Sequence, residues 1–273
     1  GPILVLYLSD FQWLIFSVRF CDRISSMKLG ILNFFDDVSN FFRGGRALGI
    51  DIGTVSIKIA EISKRGGRFQ LNNYGILETK SYLDNPTQVI QAGSLKIQDK
   101  EAAALLKILI REMKPKTKTA LFSLPAFAVF ATPLEMPLLT PQETEKAVMF
   151  QARQVIPLPI DQVSIDWTKV EEFENEKGQK QQRIFVVGIP VEILEAYKRI
   201  AKMAGLRLVS LEFETISLIR SLLQSDNQVI ILVDIGAEST VISVVEAGAL
   251  KYSAVNDHGG AYLTQAVTRS LGI

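Results

Sequence analysis

Two short phrases built around aspartate and glycine carry the chemistry that this sequence suggests. The first runs from Asp51 to Lys58 and reads D-I-G-T-V-S-I-K; the second runs from Asp234 to Thr240 and reads D-I-G-A-E-S-T. Each follows an apolar run and precedes an alternating one, so each predicts the tip of a β-hairpin. At such a tip a glycine lets the backbone approach a ligand, turn amides can cradle an anion, and the aspartate can hold a hydrated divalent cation. Two such tips facing each other would grip a polyphosphate from both sides.

Composition narrows the classes of protein that this chain can belong to. With 273 residues and 48% apolar side chains, it can bury the cores of two moderate domains or one larger one. Its net charge of +1, without a basic run interleaved with aromatic residues, argues against a nucleic-acid partner. A lone cysteine, Cys21, and a lone histidine, His258, exclude an internal disulfide and a Cys/His metal cluster, and both suit the reducing cytoplasm.

The amino-terminal extension, residues 1–46, is apolar but poorly suited to crossing a membrane. Residues 3–20 carry Asp10 and Arg19, and charges within an apolar span are costly in a bilayer. Three interpretations of residues 1–26 stay open: upstream translation or a cloning remnant, a membrane-seeking segment, or ordinary structure. Residues 27–42 have apolar side chains at helical spacing, which predicts either an interfacial helix or a helix docked on its own domain.

The remaining chain predicts an α/β fold interrupted by a small α+β subdomain. We expect a first domain at 47–125 plus 205–225, an inserted subdomain at 126–204, and the incomplete start of a second domain at 226–273. The predicted strands of the first two parts lie at 47–62 (a hairpin), 69–77, 119–124, 129–136, 163–172, 183–189 and 206–212. The predicted helices lie at 100–113, 141–155, 191–204, from 213 to about 223, and at 260–271. Thr140 and Glu143 form a capping-box pattern before the second of these helices.

Three passages of the sequence resemble the PilM family of type IV pilus assembly proteins, relatives of the cell-division protein FtsA. The passages are Leu48 to Glu61, then Q-A-R-Q-V-I-P-L-P at 151–159 with Asp166 downstream, and D-H-G-G at 257–260 with Leu263 and Thr264. The similarity extends from about residue 47 to the end. It implies an actin-like ATPase (RNase H-like) fold with an inserted FtsA/PilM-type, SHS2-like subdomain and a truncated second domain.

The resemblance also implies an ATP site and the residues that would form it. The implied phosphate-binding residues of the first loop are Asp51, Gly53, Thr54, Val55, Ser56 and Lys58. Those of the second loop are Asp234, Gly236, Ala237, Glu238, Ser239 and Thr240. Asp51 and Asp234 would organise the waters of a Mg²⁺ ion, and Gly259 and Gly260 would pass beneath the nucleotide base. Glu212 would orient the attacking water as a candidate general base, although Glu214 is equally available.

By the same resemblance, the chain would be a cytoplasmic scaffold peripheral to the inner membrane, and a weak ATPase at most. Its partner would be the cytoplasmic tail of a PilN-like membrane protein, received between the first domain and the inserted subdomain, with other pilus platform proteins and, indirectly, the membrane surface nearby. Two alternatives stay open. One is an FtsA-like division protein that anchors a tubulin-like ring; the other is a sugar kinase of the same superfamily, for which the sequence shows no sugar-binding constellation.

Overall fold

A computed structural model of the protein describes residues 3–8, 45–65, 68–79, 99–223 and 228–272, and for residues 3–8 only the backbone. In chain order the strands are β1 (Ile3–Leu8), β2 (Arg46–Ile52), β3 (Ser56–Arg65), β4 (Arg68–Glu78), β5 (Thr119–Leu124), β6 (Phe130–Pro137), β7 (Val163–Glu174), β8 (Lys180–Pro190), β9 (Arg207–Phe213), β10 (Val229–Ile235), β11 (Thr240–Glu246) and β12 (Ala249–Asn256). The helices are α1 (Asp99–Met113), α2 (Pro141–Val155), α3 (Val191–Ala204), α4 (Glu214–Leu222) and α5 (Gly260–Leu271). The helix expected at 27–42 lies outside the described residues.

The first unit is a five-stranded sheet with the order β4-β3-β2-β5-β9. Strands β2, β3 and β4 form an antiparallel meander, while β5 pairs in parallel with both β2 and β9. Helix α1 covers one face, because its apolar side chains recur at helical spacing and Leu105, Leu106 and Leu109 are buried. Helix α3 lies along α1 and places Tyr197 and Ile200 in the same core. We therefore propose that the inserted unit ends near Pro190 and that α3 belongs to the first unit.

The inserted unit is a three-stranded antiparallel sheet, β6-β8-β7, with α2 on one face. Helix α2 begins with the predicted capping box, in which the Thr140 hydroxyl accepts from the Glu143 amide and the Thr140 amide donates to the Glu143 carboxylate.

The central strand of this sheet, β8, is apolar on both faces. Ile184 and Val186 pack in a core cluster with side chains of α2. Phe185, Val187 and Ile189 alternate with them and join the core of the first unit instead. The inserted sheet is therefore held between its own helix and the body of the protein.

The second unit repeats the start of the first. Strands β10, β11 and β12 form an antiparallel meander followed by α5, as β2, β3 and β4 are followed by α1. Strand β1 pairs in parallel with β10, in the position that β5 occupies beside β2. Residues 3–8 thus form a strand, whereas residues 9–26, to which the three interpretations also apply, lie outside the described residues. No helix in the described part of the chain has the length and apolarity needed to span a membrane.

Candidate functional site

The two aspartate-glycine phrases form the same turn. In the first, the Gly53 amide donates to the Ser56 carbonyl over 2.9 Å; in the second, the Gly236 amide donates to the Ser239 carbonyl over the same 2.9 Å. A Cβ on Gly53 would lie 3.0 Å from the Ser56 oxygen, and one on Gly236 would lie 3.1 Å from the Ser239 oxygen. The tight turn therefore favours glycine at both positions, and the residues that follow Gly53 and Gly236 form a tip of the kind whose amides can cradle an anion.

Both tips line one cleft between the first and second units. From the first unit the lining residues are Asp51, Ile52, Gly53, Thr54, Val55, Ser56, Lys58, Ser123, Pro125, Glu214 and Leu218, and the start of the inserted unit adds Phe127. From the second unit they are Asp234, Gly236, Ala237, Glu238, Ser239 and Val241. All the residues that the sequence analysis assigned to the two phosphate loops lie there, except Thr240. The tips therefore face each other across a shared space.

Thr240, Gly259 and Gly260 lie behind the second tip rather than on the cleft lining. The Thr240 hydroxyl donates to the His258 carbonyl over 2.6 Å, and the Gly260 amide donates to the Gly236 carbonyl over 2.9 Å. A Cβ on Gly259 would lie 2.6 Å from backbone atoms of Gly236, Ala237 and Glu238. The structure thus gives these residues a supporting position, and the glycine turn holds the second tip from the rear.

The two aspartates occupy equivalent strand ends but have different neighbours. The Ser123 hydroxyl of β5 donates to Asp51 Oδ1 over 2.9 Å, and Lys58 Nζ lies 3.8 Å from Asp51 Oδ2. Lys58 stands opposite Asp51 in the hairpin, whereas Val241 stands opposite Asp234. Asp234 Oδ1 is buried and has no hydrogen-bond partner among the described residues. Asp51 is therefore held in place, and Asp234 carries an unsatisfied oxygen.

The cleft concentrates negative charge. Burial, followed by the charge of Asp51, raises the pKa of Asp234 to about 6, and Lys58 opposes this shift. Burial also raises the pKa of Glu214 to about 8, with further contributions from Asp51 and Asp234, while the Ala126 amide, which donates to its carboxylate over 2.6 Å, opposes it. Carboxyl groups in such surroundings are stabilised by a cation, because a cation offsets both the desolvation and the mutual repulsion.

Of the two candidate glutamates, the structure places Glu214 on the cleft and Glu212 away from it. Glu212 accepts a hydrogen bond of 2.6 Å from the Ser217 hydroxyl and pairs with Arg220 of α4. Its side chain is therefore engaged on α4, whereas Glu214 lies with Asp51 and Asp234 around the same space. Sequence spacing could not decide which of the two glutamates faces the cleft, because Glu212 lies in β9 and Glu214 begins α4 only two residues later.

Sequence reasoning also missed Ser123 and the apolar residues that complete the cleft wall. Ser123 is the next-to-last residue of β5 and lies at the same edge of the sheet as Asp51, since β5 runs parallel to β2. A polar residue two positions before Pro125, near the end of a mainly apolar strand, was the available signal. The alignment of β5 with β2, which joins distant parts of the chain, was not readable from the pattern alone.

A divalent cation fits this cleft through water rather than through a cage of side chains. The described residues contain no group of three His, Cys, Asp or Glu side chains placed to bind a metal together. The available donors are carboxylate oxygens from opposite walls, which suits Mg²⁺, an ion that keeps several waters and takes one or two carboxylates. Asp234, with its unpartnered oxygen, and Asp51 are the residues that would hold such a hydrated ion.

Comparison with known proteins gives a family and a related structure. A family model described as type IV pilus assembly protein PilM matches residues 49–273. The chain is similar to a solved structure described as a PilM-PilN type IV pilus biogenesis complex, with 24% identity and a TM-score of 0.68, over 83% of this chain and 66% of that chain. The chain thus spans slightly less than two thirds of the length of that relative.

Two further solved structures show weaker likenesses. One is the ethanolamine utilization protein EutJ from Carboxydothermus hydrogenoformans, with 18% identity and a TM-score of 0.48 over 84% of this chain and 57% of that chain. The other is the cytoplasmic domain of EpsL, an inner membrane component of the type II secretion system of Vibrio cholerae, with 10% identity and a TM-score of 0.49 over 78% of this chain and 71% of that chain.

Proposed function

This chain belongs to the type IV pilus assembly protein PilM family and has the actin-like ATPase fold, and from that premise we propose that it is an ATP-binding scaffold of the pilus assembly platform. The family membership favours this function over the two alternatives that the sequence left open, the FtsA-like division protein and the sugar kinase. The proposal places the protein in the cytoplasm at the inner membrane, bound to the cytoplasmic tail of a PilN-like protein.

The paired tips are the observation that carries ATP binding. Two turns with the same internal hydrogen bond present glycine-flanked amides to one cleft from opposite units. A triphosphate bound there would contact the first tip at Thr54 and Ser56 and the second tip at Ala237 and Ser239. Because both tips must reach the same phosphates, the nucleotide would stabilise only the arrangement of units in which the cleft is closed.

The acidic groups of the cleft support a role for Mg²⁺ with the nucleotide. Asp51 and Asp234 would hold the hydrated ion, which supplies the positive charge that the phosphates need. Lys58 adds a cation on the first wall, although its ammonium also lies near Asp51. These residues bind and orient; none of them is placed here as a nucleophile.

Hydrolysis, in this proposal, is slow and depends on Glu214 rather than on Glu212. A carboxyl group on the cleft wall can orient a water toward the terminal phosphate, whereas Glu212 is engaged by Ser217 and Arg220. The raised pKa of Glu214, about 8, keeps its carboxyl protonated at neutral pH until a cation enters the cleft. Such a group is a poor base without the ion, which fits a scaffold that uses ATP mainly to fix its conformation.

The partner tail would dock where the inserted sheet meets the first unit. Asp166 lies opposite Val187 in the sheet, and Val187 faces the core of the first unit. One carboxylate oxygen of Asp166 is buried without a hydrogen-bond partner among the described residues. We propose that a donor from the tail satisfies this oxygen. The matched relative of known structure is a PilM bound to a PilN, which is consistent with a partner of this kind.

Equilibrium titration with Mg·ATP tests the nucleotide site. Asp51→Ala and Asp234→Ala should each weaken binding by at least about tenfold, since one good charge-assisted contact corresponds to roughly 1.5–3 kcal/mol. Asp161→Ala, which alters an exposed aspartate of the inserted unit, is the matched control and should bind as the unaltered protein does. Unchanged affinity in both cleft variants would refute the site.

A second titration tests the partner. A synthetic cytoplasmic tail of the PilN-like protein from the same organism should bind the chain, and Asp166→Asn should weaken that binding without changing the affinity for ATP. Equal affinity of the tail for both proteins would reject Asp166 as a contact, and no binding of the tail to either would reject the partner.

A further inference from the structure

An ionic cluster joins the inserted unit to the second unit. Its central residue, Lys251 of β12, contacts Glu171 of β7 and lies 3.3 Å from Glu246 of β11. On the inserted sheet, Arg183 of β8 pairs with Glu171 on one side and with Glu135 of β6, at 2.7 Å, on the other. Carboxylates and cations therefore alternate across five strands that belong to two different units.

The cluster is built rather than incidental. The Lys251 side chain is only 13% exposed, and that of Arg183 is 26% exposed and lies over the Phe173 ring, 5.0 Å from its centroid. The pairing of β7 with β8 shifts between Lys169 and Glu171, so that Val170 has no partner there and packs on the core of the first unit. Such a bulge re-aims the side chain beside it, and here that side chain is Glu171, the residue that meets Lys251.

The same strand, β12, connects this cluster to the second phosphate tip. Lys251 lies near the start of β12, which ends at Asn256. The residues that follow β12 contact the second tip, because the His258 carbonyl accepts from the Thr240 hydroxyl and the Gly260 amide donates to the Gly236 carbonyl. The pairing of β12 with β11 shifts at Lys251, which lies unpaired between Leu250 and Tyr252. From Tyr252 to Asn256 every residue pairs with β11, over about 13 Å, since a strand advances about 3.3 Å per residue. The second tip and Lys251 are therefore joined by one continuous strand.

We propose that the Lys251 cluster couples the nucleotide cleft to the inserted unit, so that Mg·ATP bound between the tips changes the position or mobility of β7. The inference rests on the proposed function and adds the route by which nucleotide state would reach the partner surface. Paired strands and a partly buried ion pair form a contiguous physical connection between the two sites. A coupling of this kind is reciprocal. A partner bound to the inserted unit would in turn change the affinity for ATP.

Hydrogen exchange followed by mass spectrometry, with and without Mg·ATP, tests the coupling. In the unaltered protein we expect Mg·ATP to slow exchange in the second tip, residues 234–241, and also in β7. In Lys251→Met the slowing in β7 should fall at least about fivefold, while the slowing in the tip persists, because the variant removes the connection and leaves the site. Glu171→Gln, which alters the same contact from the other unit, should reproduce this result if Lys251→Met folds poorly.

Lys169→Met provides the matched control. Lys169 lies on β7 and pairs with Glu172 of the same strand at 2.5 Å, so its removal breaks an ion pair without separating the units. It should leave the response of β7 to Mg·ATP intact. Equal slowing in β7 in all three variants would overturn the proposal. Slowing of the tip alone in the unaltered protein would overturn the coupling but keep the nucleotide site, whereas no slowing anywhere would overturn the nucleotide site and the coupling together.

Discussion

The first and second units present the same turn to the cleft, but they differ in how the surrounding structure supports it. In the first unit, β2 lies between β3 and β5, and α1 buries five residues against the sheet and α3. In the second unit, β10 lies between β11 and β1, and α5 buries no residue in the described structure, with Tyr262, Leu263 and Val267 more than half exposed. The turn itself is local, whereas the packing of the helix depends on elements from elsewhere in the chain.

Matched leucine-to-alanine substitutions on α1 and α5 should give the largest difference in unfolding free energy. Leu106→Ala on α1 removes a fully buried side chain and should cost about 2–5 kcal/mol of unfolding free energy. Leu263→Ala on α5 removes a side chain that is 55% exposed and should change stability by less than about 0.5 kcal/mol. Urea denaturation measures both. Similar costs for the two would mean that α5 is packed in solution as α1 is.

Alanine at the glycine behind the second tip should have the next largest effect. Gly259→Ala places a Cβ 2.6 Å from three backbone atoms, so the tip must shift, at a cost of about 1–3 kcal/mol. Affinity for Mg·ATP should fall with it. Gly49→Ala in β2, where a Cβ meets nothing within 4 Å, is the control and should be nearly neutral. A tip that tolerates Gly259→Ala without loss of affinity would show that its rear support is dispensable.

The acidic cleft predicts a pH dependence of stability in the absence of nucleotide. The folded pKa of Glu214, about 8, stands above its ordinary value of 4.5, so the folded protein binds more protons than the unfolded chain between these values. Unfolding free energy should therefore fall as pH rises from about 4.5 to about 8. Glu214→Gln should flatten this slope and stabilise the protein by on the order of 1 kcal/mol at pH 8. An unchanged slope in thermal melts across this range would contradict the burial of Glu214.

Loss of the Ser123 hydroxyl should give the smallest effect. Ser123→Ala removes the hydrogen bond to Asp51 and should weaken Mg·ATP binding by about threefold to tenfold, in line with roughly 1 kcal/mol for one hydrogen bond. The control is Ser63→Ala, which removes a buried hydroxyl bonded to Asn72 at a distance from the cleft. If Ser123→Ala and Ser63→Ala bind Mg·ATP with the same affinity, the hydrogen bond from Ser123 to Asp51 does not contribute to nucleotide binding.

Features fixed by short stretches of sequence were predictable. The two tips follow from an aspartate at a strand end and a glycine that allows the turn, and the start of α2 follows from Thr140 and Glu143. The bounds of α2, α3, β5 and α5 agree with the predicted ones for the same reason: their signals are a cap, a change of period, or a proline or glycine at the end.

Features that depend on distant pairing were not predictable. The place of Glu214 beside Asp51 requires knowing that β9 and β5 align in parallel with β2, and the strand pairing of residues 3–8 with β10 joins opposite ends of the chain. Strand β12 was not singled out by its pattern, although its Lys251 meets Glu171 across two units. The position of Gly259 and Gly260 beneath a nucleotide base stays a prediction; their contacts with the backbone of the second tip depend on packing that no pattern reveals.

The central strand of the inserted sheet, β8, is apolar on both faces, so the inserted unit depends on the first unit to cover one of them. A fragment containing only residues 126–190 would present Phe185, Val187 and Ile189 to water, and an open apolar strand surface of that kind promotes self-association. The inserted unit would therefore not fold as a separate domain in another protein unless that protein supplied an apolar surface to cover this face of β8.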